Sequence, residues 1–288
     1  MQTWLKGAAI ALVSIAGTIA VSQAMRAPAE GRAASVNTPR TAAGKPDLNG
    51  IWQAVGSANW NLLDHAARSG PVLELGAVLA VPAGLSVVEG NEIPYQPWAA
   101  ARQKENYENW LSRDPEVKCY LPGIPRATYM PYPFQILQTA DNDIVMAYEY
   151  ASASRVIKMG KVEPPPVDTW MGQSAGHWEG DTLVVDVTGL NDQTWFDRSG
   201  NFHSEAVHVI ERFTPLSADV LDYQVTIEDP KVFTRAWKMQ MPLYRRQEKR
   251  AQLLEFKCVE FVEELMYGEL RKKTGNEPKF SAARLRWP

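Results

Sequence analysis

The chain is poor in the residues and patterns that mark several common kinds of functional site. It has two cysteines and four histidines, and its formal net charge of −3 includes no basic block and no acidic tail. This charge pattern favours neither nucleic-acid binding nor electrostatic recruitment to a membrane. Neither cysteine has a cysteine or histidine partner at metal-ligand spacing. With no zincin, P-loop or dinucleotide-binding motif either, we expect no metal, no cofactor, and no nucleophile-elbow, kinase or nicotinamide chemistry.

An apolar run lies at the N-terminus. Lys6 precedes apolar residues 7–21, and Ser22-Gln23-Ala24 forms a small-x-small sequence. This order predicts a secretory signal over residues 1–24, with an uncleaved anchor as the alternative. Residues 25–46 are rich in Ala, Pro, Gly, Thr and Ser and predict a disordered linker. We therefore expect a single domain over 47–288, in the periplasm or secreted, with no stable membrane insertion after signal cleavage.

Export also bears on the two cysteines. An exported chain folds in an oxidising compartment, where an even cysteine count indicates disulfide bonding. We therefore predict a disulfide between Cys119 and Cys258, with two buried free thiols as the alternative.

The remaining pattern is mainly β. Short apolar, β-branched runs alternate with turn sequences such as TADND, EGD and GLND. Many short strands without helices between them predict an antiparallel β-barrel, with a β-sandwich as the alternative. Peripheral helices are expected over 97–113 and 258–273, and a long ordered loop over 118–135. The predicted strands cover 134–139, 144–150, 155–159, 176–178, 182–188, 204–214, 220–228, 238–245 and 253–257.

Titratable side chains concentrate in residues 194–213, TWFDRSGNFHSEAVHVIERF. In a strand over 204–214, Glu211 and His208 lie on opposite faces, because side chains alternate with period 2. His203 and His208 are five residues apart, so they converge only if His203 precedes the strand or a bulge resets the alternation. The turn containing Asp197 precedes this strand, where loop residues can border a cavity.

These residues form a candidate acid–base site, because histidine titrates near neutrality and a carboxylate can orient it. His203 or His208 would be the base and Asp197 its orienting carboxylate, whereas packed histidines and solvated carboxylates are the structural alternative. Arg126 and Tyr129, on the proline-rich loop, could hold a substrate oxygen. The candidate binding residues are, in full, Arg126, Tyr129, Tyr132, Trp195 and Glu211.

Four segments carry a family resemblance. They are DPEVKCYLPGIPRATYMPYPFQI, WMGQSAGHWEGDTLVVDVTGLNDQTWFDRSGNFHSEAVHVIERFT, YQVTIEDPKVFTRAWKMQMPLYR and LLEFKCVEFVEELMYG, and they resemble a large family of exported bacterial proteins without an established mechanism. That resemblance implies a periplasmic or secreted single-domain protein and carries over no catalytic residue. The LNGIW segment is also similar to the G-x-W of lipocalin-like barrels, which implies a barrel that holds a small apolar ligand.

Three functions are compatible with these patterns. The first is a cofactor-independent lyase or isomerase acting on a small aromatic or apolar molecule, such as a lignin-derived aromatic dimer. The second is a non-catalytic, lipocalin-like carrier of such a molecule. The third is a metal-dependent hydrolase using Asp197, His203, His208 and Glu211, which the opposite faces of the two histidines disfavour. Oligomeric state is not predicted.

Overall fold

The chain forms a closed, nine-stranded β-barrel, which confirms the predicted barrel and excludes the sandwich. A computed structural model describes residues 38–70, 76–77, 80–262, 265–266 and 269. The strands are β1 Gly50–Ala54, β2 Phe134–Gln138, β3 Ile144–Tyr148, β4 Ser154–Met159, β5 Gln173–Glu179, β6 Thr182–Thr188, β7 His208–Pro215, β8 Val220–Glu228 and β9 Trp237–Arg245. They pair in chain order and antiparallel, except for the parallel pair β4–β5, and β1 closes on β9.

Side-chain alternation separates the lumen of the barrel from its outer face. In β8, Leu221, Tyr223, Val225 and Ile227 are buried, and their neighbours along the strand are exposed or half-buried. The same alternation runs through β7 and β9. Burying each large apolar side chain in this way contributes roughly 1.5–3 kcal/mol to folding, so the lumen is the principal hydrophobic core.

The long connections leave the barrel at one end. Antiparallel neighbours place the β1–β2, β3–β4, β6–β7 and β8–β9 connections together, and we call this the loop end. The β2–β3, β5–β6 and β7–β8 turns lie at the opposite end. Because β4 and β5 are parallel, residues 160–172 must run back along the barrel between them. The loop end therefore carries residues 55–133 and 189–207, which include most of the candidate site.

Three α-helices lie in the β1–β2 connection. The predicted helix over 97–113 is present as two helices, α1 Pro97–Glu108 and α2 Trp110–Arg113, because Asn109 leaves the helical conformation at φ −120° and ψ 20°. Pro97 suits the first turn of α1, where no backbone N–H is needed. The predicted loop over 118–135 contains a third, one-turn helix, α3 Arg126–Tyr129.

The disulfide joins the β1–β2 connection to the C-terminal part of the chain. Cys119 and Cys258 are bonded, with their Cα atoms 5.7 Å apart, as predicted. The flanking residues 251–261, here called the C-terminal strap, contain no regular element. The predicted strand over 253–257 is therefore wrong: this segment pairs with no barrel strand, and β1 and β9 close the barrel without it.

Three other expectations fall wholly or partly outside the described residues. Half of the helix expected over 258–273 does, as do the whole signal over 1–24 and residues 25–37 of the expected linker. Residues 38–46 are described, and Arg40 in this segment forms a β-bridge with Pro46 and an ion pair with Asp181 at 2.7 Å. Within the described part of the chain, no helix has the length and apolar character needed to cross a membrane.

Candidate functional site

Asp197 lies in the β6–β7 connection at the loop end and is fully buried. Its two oxygens accept hydrogen bonds from the backbone N–H groups of Leu62, Ser199 and Asn201 and from the Asn201 side-chain amide, at 2.6–3.3 Å. Burial raises the pKa of this carboxyl to about 6, and the bonds from Asn201 and Leu62 oppose that rise. Asp197 thus ties the loop around Leu62 to the turn over 199–201.

His203 is also buried, with 1% of its surface exposed. Its Nδ1 lies 2.9 Å from the Ser204 carbonyl oxygen, which can only accept, so Nδ1 carries the proton. Nε2 then accepts a hydrogen bond from the Thr194 hydroxyl at 2.7 Å. Burial lowers the pKa of the ring, so His203 is neutral at neutral pH. Both ring nitrogens are occupied by these bonds, and neither bond involves a carboxylate.

The proline-rich loop makes direct contact with the β6–β7 connection. The Tyr129 hydroxyl donates to the Phe196 carbonyl oxygen at 2.8 Å. Arg126 is buried and donates to Asn59, Asp114 and Glu116 at 2.7–3.1 Å. Its guanidinium is therefore engaged in ion pairs within the protein.

The Arg126 network continues to a second arginine. Arg198 binds the Glu116 carboxylate through two nitrogens at 2.7 and 2.8 Å, and its guanidinium lies 4.5 Å from the Trp60 ring centroid. Burial alone would raise the pKa of Glu116, but the charges of Arg198 and Arg126 lower it to about 2. This cluster joins the 55–62 loop, the 114–118 turn, α3 and the β6–β7 connection.

His208 lies on the outer face of the barrel, away from His203. It is the first residue of β7, so the strand begins after His203, as convergence of the two histidines required. Its imidazole contacts Asp186 at 3.1 Å and Glu228 at 3.3 Å, and its side chain is 34% exposed. The expected carboxylate–histidine contact is thus present, but on the outside of the sheet.

Glu211 points into the lumen and is fully buried. Its carboxylate forms an ion pair with Arg155 at 2.5 and 3.0 Å and accepts a hydrogen bond from the Tyr223 hydroxyl at 2.6 Å. Ser174 accepts from the same arginine at 3.3 Å. We call Arg155, Ser174, Glu211 and Tyr223 the lumen cluster.

Trp195 and Tyr132 are the remaining candidate binding residues. Neither forms a hydrogen bond with the candidate histidines. Trp195 is 8% exposed and forms a β-bridge with Phe202 inside the turn. The Tyr132 ring packs 5.2 Å from Phe256 of the C-terminal strap and 5.7 Å from Tyr150. The structure therefore gathers Arg126, Tyr129, Tyr132, Trp195, Asp197 and His203 at the loop end. It places Glu211 in the lumen and His208 on the outer face.

The expectation of no nucleophile elbow overlooked one match. Residues 172–176, GQSAG, have the G-x-S-x-G pattern. In hydrolases this pattern places an exposed serine on a sharp turn from a strand to a helix. Here Ser174 lies within β5, is 2% exposed and contacts Arg155, so the geometry of an elbow is absent at this serine.

A cleft of about 550 Å³ opens at the loop end, beside the turn over 199–201. Its apolar surface comes from Leu63, Ile93, Tyr95 and Tyr107, and its polar surface from amide, hydroxyl and charged groups. We call it the helix cleft and define it by Asn61, Leu63, Asp64, Ile93, Tyr95, Gln103, Lys104, Tyr107, Glu108, Ser199 and Asn201. Its volume falls in the range of roughly 300–1,000 Å³ that is usual for small-molecule sites.

The polar walls of the helix cleft are fixed by hydrogen bonds. Gln103 donates to the Ser199 carbonyl at 2.6 Å, and the Tyr95 hydroxyl donates to the Asn201 side chain at 2.9 Å. Gly200 makes this contact possible: its φ is +80°, and a Cβ atom there would lie 2.7 Å from the Tyr107 backbone nitrogen. Helix α1 can therefore approach the turn closely, and that approach holds the two walls together.

One group of the helix cleft is left without a partner. The Tyr107 hydroxyl is buried, and among the described residues it has no hydrogen-bond partner. A buried hydroxyl without a partner costs roughly 1–3 kcal/mol, and Tyr107 itself lines the cleft. The sequence analysis did not select Tyr95, Gln103 or Tyr107, although the aromatic residues beside Pro97 were a visible signal.

Comparisons with known proteins provide no functional assignment, so function is inferred from the geometry of the site. No family model, no curated protein and no solved structure matches the chain. In the part of the chain that the structure describes, no group of three or more His, Cys, Asp or Glu side chains is arranged to hold a metal ion.

Proposed function

We propose that this protein binds a small molecule with an aromatic or apolar body in the helix cleft. The observation that carries the proposal is a cleft of about 550 Å³ lined by Tyr107, whose buried hydroxyl has no hydrogen-bond partner among the described residues. Aromatic and aliphatic walls supply contact area for such a body, and a few fixed polar groups supply orientation. This is the carrier function among the three that the sequence allows.

Preorganisation of the walls also supports a binding site. Gln103 and Asn201 are held by hydrogen bonds before any ligand arrives. Side chains that are already ordered cost less entropy on binding than mobile ones. A ligand can therefore enter without first ordering these two side chains.

Tyr107→Phe tests the proposal, because it keeps the ring and removes only the hydroxyl. A library of small aromatic compounds is first screened by ligand-detected NMR, and affinities of the hits are measured by calorimetry. Loss of one neutral hydrogen bond should weaken binding by about 2- to 10-fold. Tyr244→Phe makes the same change on an exposed residue of β9 and should leave affinity unchanged. If no compound binds, or if both variants behave alike, the proposal is wrong.

Acid–base catalysis, as a lyase or isomerase, is the second candidate, and Asp197 is the observation that favours it. Its pKa of about 6 lies near neutrality, and Asn201 links it by hydrogen bonds to the Tyr95 hydroxyl in the cleft wall. Because Asp197 accepts four bonds, its role would be to position Asn201 and Tyr95. Turnover of the same library should then show a pH dependence near 6 that Asp197→Asn removes. Compounds that bind without turnover in the wild type would leave only the carrier function.

We also propose that the protein acts in the periplasm or outside the cell. The Cys119–Cys258 disulfide supports this location, because reducing systems keep cytosolic thiols unpaired. Expression with and without residues 1–24, followed by cell fractionation, tests it. Equal amounts of both forms in the cytosolic fraction would refute it.

A further inference from the structure

Asp197 joins two of the segments that line the helix cleft. Its Oδ2 accepts a hydrogen bond from the backbone N–H of Leu62 at 2.8 Å, and both sequence neighbours of Leu62 line the cleft. Its Oδ1 accepts from the backbone N–H groups of Ser199 and Asn201 at 2.9 and 3.3 Å, and these two residues line the cleft as well. One buried carboxylate therefore sets the position of the 61–64 segment relative to the turn over 199–201.

The hydrogen bonds at Asp197 fit its ionised form. A fourth bond comes from the side-chain amide of Asn201, which donates to Oδ2 at 2.6 Å. All four partners are N–H donors, and an ionised carboxylate only accepts, whereas a protonated one must also donate. In this arrangement the proton of a neutral Asp197 would face a donor, and the residue is fully buried from solvent. Proton uptake must therefore rearrange these bonds.

Asn201 is the partner that can reverse its polarity. Its side-chain oxygen accepts a hydrogen bond from the Tyr95 hydroxyl at 2.9 Å, while its NH₂ group binds Asp197. A half-turn of the amide would offer the oxygen to a protonated Asp197 and the NH₂ group to Tyr95. The backbone bonds to Asp197 would weaken at the same time, because a charge-assisted hydrogen bond is about twice as strong as a neutral one. Since Asn201 and Tyr95 both line the cleft, proton uptake alters the cleft wall.

Ionisable groups from several elements surround Asp197. It interacts electrostatically with Arg68, Tyr95, Arg126 and Tyr129. The arginines stay charged between about pH 5 and pH 7. The tyrosines stay neutral over that range, because burial raises the pKa of each hydroxyl. None of the four therefore changes its charge where Asp197 does.

Two histidines lie close in sequence to the groups that Asp197 binds. His65 contacts a backbone carbonyl of the 61–64 segment through Nδ1 at 2.8 Å. Both ring nitrogens of His203 are engaged, and burial lowers its pKa. Arg198, the next residue after Asp197, pairs with a carboxylate. The charged lining residues of the cleft are Asp64, Lys104 and Glu108. The four bonds of Asp197 involve none of these side chains, so replacing Asp197 removes its own titration and leaves theirs.

We propose that Asp197 is the positioning residue of the helix cleft and makes ligand binding depend on pH: the ionised residue holds the binding geometry, and proton uptake releases the ligand. This inference rests on the proposed binding function and adds its regulation. Burial raises the pKa of Asp197 to about 6, so the change falls between neutral and mildly acidic pH. At pH 5 about one Asp197 in ten is then ionised. A protein whose binding-competent form is only partly populated binds its ligand more weakly by that fraction.

Neutral probes test the proposal on the full chain. Benzyl alcohol and 3-phenylpropionamide do not titrate in this range, and their affinities are measured by ligand-detected NMR and calorimetry. Affinity for the wild type should fall on the order of 10-fold from pH 7 to pH 5. Binding near pH 6 should release about half a proton, because the ligand selects the ionised form; calorimetry in buffers of different ionisation enthalpy measures that release.

Two variants assign the effect to a residue. Asp197→Asn should bind weakly at both pH values, with no pH dependence and no proton release. Asp229→Asn is the matched control, because Asp229 is also buried and accepts bonds from Ser204, Lys231 and Val232 at 2.6–3.3 Å, but it is not a lining residue of the cleft. This control should keep both the pH dependence and the proton release.

The outcomes separate this inference from the proposed function. If no probe binds at pH 7, both are wrong. If the probes bind equally at both pH values, or if Asp197→Asn keeps the pH dependence, the inference is wrong and the binding function stands. Should Asp197→Asn fail to fold, the carboxyl ¹³C resonance of Asp197 in the wild type decides: its titration midpoint must fall when a probe binds, and a midpoint that the probe does not move overturns the proposal.

Discussion

Replacing Glu211 by glutamine should destabilise the barrel far more than the same change at a surface carboxylate. Glu211 and Arg155 form a fully desolvated pair in the lumen, with side-chain exposures of 0% and 2%. Glutamine keeps the volume but removes the charge, and its NH₂ group can face the arginine donors. The lumen would then contain an uncompensated guanidinium with no solvent to stabilise it.

The expected magnitude follows from that geometry. Breaking a buried ion pair by removing one partner costs roughly 3–5 kcal/mol, whereas an exposed pair contributes about 0–1 kcal/mol. Glu179→Gln is the matched control, because Glu179 pairs with Arg212 at 2.7 Å with both side chains at least 35% exposed. Tyr223→Phe removes only the hydroxyl bond to Glu211 and should cost about 1.5–3 kcal/mol, as expected for a bond to a charged group.

Urea unfolding at pH 7, followed by tryptophan fluorescence, measures these differences at constant m value. Glu211→Gln should also lower Tm by roughly 6–20 °C, given about 2–4 °C per kcal/mol for a chain of this size. The double variant Arg155→Met, Glu211→Leu should recover most of the loss, because it removes both charges together. A cost below 1 kcal/mol for Glu211→Gln, or a double variant as unstable as the summed single variants, would refute this reasoning.

Three further predictions concern the loop end and its supports. Replacing Cys119 and Cys258 by serine should lower the free energy of unfolding in urea by on the order of 4–5 kcal/mol, since the bridge spans 139 residues; an unchanged midpoint would contradict it. The folded pKa of Asp197 lies at about 6, above the ordinary 3.8, so its stabilisation is complete below pH 4 and is lost as pH rises through 6. Relative to Asp197→Asn, the wild type should lose up to about 3 kcal/mol between pH 4 and 7, and a pH-independent difference would exclude this. In thermal melts, Gly84→Ala should lower the free energy of unfolding by about 1–3 kcal/mol, because its Cβ would lie 1.7 Å from Ser57 Oγ. Gly56→Ala, whose Cβ would meet no atom within 4 Å, should leave the stability unchanged in the same measurement.

Local periodicity predicted the barrel correctly, and the reason is visible in β7. Apolar alternation from Val207 onward places Val209, Glu211 and Phe213 on one face. Since one face of each strand is buried, a shift of one residue would expose the whole apolar set. Each strand carries this alternation in its own sequence. The buried face of a strand can therefore be deduced without knowing which strands are its neighbours.

Pairings between distant residues could not be deduced in the same way. Arg126 looked available to a ligand because its sequence context is a stiff loop, and only the fold shows that Asp114 and Glu116 occupy it. The helix cleft likewise joins Gln103 to Ser199, 96 residues further along the chain. The helix over 97–113 was expected to be continuous, and the break at Asn109 was missed because propensity alone is a weak guide to a helix end.

The density of titratable groups in residues 194–213 has a structural origin. A turn followed by a strand distributes successive side chains among three environments: the turn interior, the lumen and the outer face. Asp197, Glu211 and His208 occupy one each, and protein donors or carboxylates satisfy all three. Groups whose bonding capacity the fold has already used have little left for a ligand, so density along the sequence says little about reactivity. The informative groups are those that the fold leaves partly desolvated and unmatched. Beside the helix cleft, the buried Tyr107 hydroxyl, which has no hydrogen-bond partner among the described residues, is such a group.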